Sequence, residues 1–193
     1  GMEQVGVLVL PAYKYLRANN NKVFMEILRK QQLPREYFMS RRLFGCFEEL
    51  ESVTRELRYP VVVKSAAGAG STGVFIAGSK QELFAKAKRI SQTRNIREEL
   101  REIVRSYRHR GYIRESRFRE KFIVQDFIPG LTNDWKVLVY YDKYYVLRRN
   151  NRPGDFKASG SGLFYFEEVV DQDLLNAAQE ICDCFQLPMM SLD

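Results

Sequence analysis

Residues 59–76 read YPVVVKSAAGAGSTGVFI. Lys64 ends an apolar β-branched run, and Gly68, Gly70 and Gly73 follow with small residues between them. Small residues let backbone N–H groups reach phosphate oxygens, and a lysine adds a compact positive charge. The Gly-x-Gly-x-x-Gly spacing matches a dinucleotide turn, but that turn needs a helix directly after the glycines. Here VFIA follows, β-branched and aromatic, closed by Gly78, and it reads as a strand. A Walker A loop would carry Gly-Lys-Ser/Thr, which is missing. A protein kinase places its glycines before the lysine strand, the reverse of this order. A hairpin remains, with Lys64 at the end of its first strand and a small-residue flap at its tip. A flap over nucleotide phosphates and a plain surface hairpin both fit these residues. The only histidine, His109, lies in a basic segment and reads as solvated, so no Ser-His-Asp set competes.

The flanking elements are those of a mixed α+β chain. VGVLVL at 5–10 reads as a strand ended by Pro11. Asn19, Asn20 and Asn21 offer a cap for a helix with Phe24, Ile27 and Leu28 at helical spacing, ended by Pro34. Residues 37–40 read as extended. Residues 47–57 read as a helix, acidic early and basic late, as the helix dipole favours. After the hairpin, Ser79 and Glu82 form a capping box for a helix with Leu83, Ala87 and Ile90 on its apolar side. Residues 96–107 extend or restart that helix, with Leu100, Ile103 and Tyr107 at helical spacing. Strands are expected over 122–128, 135–140, 144–149 and 163–169, with a polar loop over 150–162. A last helix over 171–185 directs Leu174, Leu175, Ala178, Ile181 and Phe185 to the core.

The chain has 193 residues, enough for one substantial domain, and a net charge of +7. Between Lys86 and Lys121 stand 13 Lys and Arg against 5 acids, a local +8 that accounts for the whole excess. This is a basic insert in an otherwise near-neutral chain. Its aromatics, Tyr107, Tyr112 and Phe118, are too sparse for a stacking surface, so nucleic acid is a weak expectation beside an acidic peptide or protein. No run approaches the ~20 apolar residues of a membrane span, and no membrane partner is expected. The three cysteines read as free thiols in a reducing, cytoplasmic setting.

Several of these segments, in order, resemble the ATP-grasp superfamily. YPVVVK and GAGSTGV are similar to its lysine strand and phosphate flap, and NNNKVFMEILRKQQLPREYF to its lysine-bearing helix. FIVQDFIPG resembles the hinge strand beside adenine, and Asp134-Trp135-Lys136 the Asp-x-Arg strand start. RPGDFKASGSG resembles the acyl-phosphate loop of the branch that contains ribosomal-protein glutamate ligases, and LPMMSLD a turn ending in a metal-binding Asp. The resemblance implies an α+β ATP-grasp fold of two lobes, with mainly antiparallel sheets around a nucleotide cleft. One domain over 2–193 is expected: a small lobe at about 40–90, the basic insert at 91–120 and a large lobe at 121–193.

It also implies roles. Lys22 and Lys64 would contact ATP phosphates, and Gly68, Gly70, Ser71 and Gly73 would fold over them. Asp126, Phe127 and Ile128 would flank adenine, and Asp134 would reach the ribose. Arg149 and Lys157 would act at the acyl phosphate, and Asp193 would hold Mg²⁺. The chemistry implied is ATP-dependent joining of a carboxylate to an amine. It departs from the family at Lys136, Lys157 and Ser159, where Arg, Arg and Asn are usual. No Glu-x-Asn metal strand follows Asp193, and no N-terminal domain precedes the lysine helix. On that resemblance the chain is expected to be a piece of a longer enzyme, with little turnover of its own. A non-catalytic nucleotide-binding module is the alternative.

Overall fold

A computed structural model describes residues 9–68, 73–93, 95–166 and 169–193. The expected first strand falls mostly outside them, and Val9 and Leu10 are not in a strand. Helix α1 (Tyr13–Asn19) leads into α2 (Lys22–Gln32), whose first turn is capped by Asn21 accepting from the Phe24 N–H at 3.1 Å. On α2 the buried residues are Leu28 and Glu26, and Ile27 is exposed. Glu26 is buried because Arg29 and Arg41 pair with it.

The first sheet has the order β1-β4-β2-β3, from β1 (Arg41–Phe44), β4 (Phe122–Asp126), β2 (Val61–Ser65) and β3 (Val74–Ala77), all antiparallel. The expected hairpin is present: Lys64 faces Val74 across β2 and β3. Strand β1 lies just beyond residues 37–40, which had been expected to be extended; pairing with β4 makes it a strand. Strand β4, from the segment after residue 121, sits between β1 and β2 in this sheet. Its Phe122 and Val124 share a face with Val61, Val63 and Phe44, and Phe122 stacks on Phe44 at 4.9 Å. Leu50 of α3 (Glu49–Val53) and Leu83 and Ala87 of α4 (Lys80–Ser91) close that face. Each fully buried side chain of this size contributes about 1.5–3 kcal/mol.

Helix α5 (Ile96–Arg108) is separate from α4. Its Leu100 and Tyr107 point to solvent, not to a core.

The second sheet has the order β7-β6-β5-β8, again antiparallel, from β5 (Asn133–Tyr140), β6 (Lys143–Asn150), β7 (Phe164–Phe166) and β8 (Met189–Leu192). Val137, Val139 and Val146 pack against Ala178 and Cys182 of α6 (Gln172–Phe185). Asp171 caps α6, and Gln186 ends it in the left-handed conformation with its N–H on the Cys182 carbonyl. The opposite face of this sheet carries Asp134, Lys136, Arg149 and the exposed Tyr145, with Asp134 facing Arg149 and Leu138 facing Tyr145 across β5 and β6.

Candidate functional site

One face of the first sheet and one end of the second border a cleft of about 440 Å³. Alternation along β2 puts Val61 and Val63 in the core and turns Val62 and Lys64 toward the cleft. The same alternation places Asp134 and Arg149 opposite each other on β5 and β6. Four cations line the cleft, Lys22, Lys64, Arg149 and Lys157, against two carboxylates, Asp134 and Asp193. Apolar walls come from Val62, Val74, Phe127, Ile128, Leu131 and Phe156. A positive floor beside an apolar slot suits a ligand with a flat apolar group and a polyanionic tail. Among the described residues lining a hollow of about 470 Å³ between β6 and α6, none carries a charged side chain.

Lys64 is held between Ile123 on β4 and Val74 on β3. Burial lowers its pKa to about 8, with Arg41 and Lys22 adding like-charge repulsion that Glu26 and Asp193 only partly offset. Burial also lowers the Lys22 pKa. Lys22 donates from Nζ to the Gly68 carbonyl at 2.7 Å, and its backbone N–H donates to the Ala66 carbonyl at 2.9 Å. The start of α2 is thereby tied to the chain leading into the flap.

The other side of the cleft is neutralised from within. Arg149 donates from Nε and Nη2 to the two oxygens of Asp134 at 2.7 and 2.8 Å, a bidentate pair. Nη2 also donates to Asp193 Oδ1 at 3.0 Å, and Lys136 Nζ reaches the same oxygen at 3.0 Å. Burial works against the Arg149 charge, but the two carboxylates outweigh it and hold its pKa above the usual value. Lys157 has a looser partner, Asp155 at 3.9 Å, and lies 5.6 Å over the Phe156 ring.

Nine of the residues singled out in the sequence line this one cleft: Lys22, Lys64, Gly68, Phe127, Ile128, Asp134, Arg149, Lys157 and Asp193. Gly70 and Ser71 lie outside the described residues. Asp126 is not in the lining, and its N–H is taken by the Ser40 carbonyl at 3.3 Å; Gln125 lines the cleft beside it. Gly73 is also absent from the lining and closes the hairpin instead. Its carbonyl accepts from the Ser65 N–H at 2.9 Å, its φ is +75°, and a Cβ there would meet Ser65 Oγ at 2.3 Å. The sequence reading missed Arg41 and Glu26 behind Lys64, because a four-residue strand opened by two arginines has no apolar period to detect.

The described residues include no group of three His, Cys, Asp or Glu side chains placed to hold a metal. Asp134 and Asp193 are both engaged by Arg149, so these residues do not fit a protein-held Mg²⁺.

A family model for the carbamoyl-phosphate synthase L chain, ATP binding domain, matches residues 28–102. Three solved structures resemble the whole chain more broadly. An L-amino acid ligase from Bacillus licheniformis superposes with a TM-score of 0.59 at 16% identity, over 98% of this chain and 42% of its own. An N5-carboxyaminoimidazole ribonucleotide synthetase in complex with ADP gives 0.56 at 15% identity, over 92% and 41%. A RimK domain ATP-grasp protein from Sphaerobacter thermophilus gives 0.52 at 16% identity, over 96% and 57%. The fold is ATP-grasp. No curated protein matches the sequence. The chain spans less than half the length of the ligase and the synthetase that it resembles.

Proposed function

We propose that the cleft binds ATP and that the chain is the nucleotide-binding core of an ATP-dependent carboxylate–amine ligase. The observation that carries this reading is the convergence of Lys22, Lys64, Arg149 and Lys157 on one cleft with an apolar wall at Phe127 and Ile128. In such a reaction a carboxylate oxygen attacks the γ-phosphorus and ADP leaves. An amine then attacks the acyl carbon and displaces phosphate. No side-chain nucleophile is needed; the protein has to align two anions and offset the charge that develops on the transferred group.

On this reading Lys22 and Lys64 contact the phosphates, Phe127 and Ile128 flank adenine, and Asp134 reaches the ribose, a reading that their shared cleft supports. Asp134 can serve Arg149 and a hydroxyl together, since two carboxylate oxygens offer about four acceptor positions. Lys157, whose Asp155 contact is a long 3.9 Å, is the cation more available to the departing phosphate. Carboxylate and amine substrates follow from this reading, with an acidic peptide or protein as one class. A second reading, a nucleotide-binding module without catalysis, is favoured by the neutralised Asp134 and Asp193. Thermal unfolding with millimolar ATP tests the shared part of both. The midpoint is expected to rise for the unmodified chain, and Lys64→Ala is expected to weaken ATP binding by roughly 10–100-fold. No rise for the unmodified chain would remove the nucleotide site. ADP formation with a carboxylate and hydroxylamine, which traps acyl phosphates, separates the ligase from the module.

A further inference from the structure

Helix α5 reads IREELREIVRSYR, with Ile96, Leu100, Ile103, Val104 and Tyr107 on one stripe. A helix of this pattern normally turns that stripe inward. Here the opposite side is packed. Glu102 is 5% exposed and accepts from Tyr112 Oη at 2.7 Å, Arg105 Nη1 at 3.1 Å and the Glu115 N–H at 3.2 Å. Glu98 and Glu99 pair with Arg119 at 3.0 and 3.3 Å. The stripe therefore faces solvent: Ile96 is 73% exposed, Leu100 57%, Val104 45% and Tyr107 87%. Arg97, Arg101 and Arg108, at helical spacing along one flank of the stripe, are exposed as well.

We propose that this face docks the protein peripherally on an anionic lipid surface. The inference is independent of what the cleft binds. A 13-residue helix is ~20 Å long and ~10 Å wide, so its stripe covers on the order of 200 Å². A stable protein interface buries about 800 Å² per partner. A second copy of the chain meets a further obstacle, because antiparallel pairing of two α5 stripes brings the two arginine rows together. A lipid surface requires neither a large area nor a register. Its headgroups offer the single negative sign that the arginine row calls for, and its acyl boundary takes the apolar stripe. Tyr107 adds an apolar ring with a polar tip, the side-chain type suited to that boundary. Among the described residues no helix is long and apolar enough to cross a membrane, and surface docking needs none.

The test is co-sedimentation of the full 193-residue chain with vesicles of equal phosphatidylglycerol and phosphatidylcholine, and with vesicles of phosphatidylcholine alone. Binding is expected to be roughly 100-fold tighter to the anionic vesicles. The triple variant Arg97→Gln, Arg101→Gln, Arg108→Gln is expected to lose most of that preference. Leu100→Gln with Val104→Gln is expected to weaken anionic binding roughly 10-fold. All five substitutions are at exposed positions, and unchanged circular dichroism would show that α5 is retained. Failure to sediment with anionic vesicles would overturn the proposal. So would full binding by the Leu100→Gln, Val104→Gln variant, since the attraction would then be charge alone. Two further results would overturn it: binding to random oligonucleotides but not vesicles, or a dimer that this variant breaks while vesicles stay unbound.

Discussion

The two sheets that border the cleft share an architecture and differ in how they handle charge. Each has four antiparallel strands, and each packs one face on helix, through Leu83 and Ala87 in the first case and Ala178 and Cys182 in the second. On the first sheet Lys64 is desolvated among like charges, and no ion pair opposes it among the described residues. On the second, Arg149 is saturated by Asp134 and Asp193. A buried, unpaired cation is costly to the empty protein and strengthens anion binding; a paired one supports the empty fold and has less to offer a ligand. The drive to bind phosphate should therefore come from the first sheet, and the second should hold the far end in shape.

Neutral substitution on the two sheets should then act with opposite sign. Arg149→Met leaves two neighbouring carboxylates without their shared partner, and it is expected to lower unfolding free energy by about 1–3 kcal/mol in urea denaturation. Lys64→Met removes the desolvated charge and is expected to raise the stability of the ligand-free chain by roughly 1 kcal/mol while weakening ATP binding by roughly 10–100-fold. If both variants destabilise equally, the contrast between the sheets is wrong.

The smallest effect is in the pH profile. The folded pKa of Lys64, about 8, lies below its ordinary value of 10.5, so between those limits the unfolded chain binds more protons and stability rises with pH. The advantage of Lys64→Met over the unmodified chain should be full below pH 8 and should close as pH climbs toward 10.5. A gap that stays constant across that window would show that Lys64 is solvated rather than desolvated.

Much of the site could be read from local pattern. Lys64 ends a β-branched strand, VFIA after the glycines made a hairpin the only consistent turn, and Asn21 and Ser79 cap helices where expected. Those features depend on neighbours in sequence, which a linear reading can see. Other features were not legible. The pairing of β1 with β4 is a contact between residues about 80 apart, such as Arg41 and Gln125. It alone makes residues 41–44 a strand and brings Arg41 beside Lys64, while β4 joins the sheet through its own pairing with β2, also remote in sequence. The exposure of the α5 stripe was hidden for the same reason, since helical spacing tells which residues share a face but not which way the face turns.

By itself, then, the sequence determined the mixed α+β class, the hairpin, the capped helices and most of the residues that meet in the cleft. These follow from backbone preference, apolar period and capping chemistry acting over a few residues. Only the tertiary structure decided which charges are cancelled. Arg149 and Asp193 are 44 residues apart, and their 3.0 Å contact exists because β8 pairs with β5 and sets the Asp193 side-chain carboxylate beside the β6 guanidinium. Coulomb energy depends on distance and on surrounding solvent, and the fold sets both.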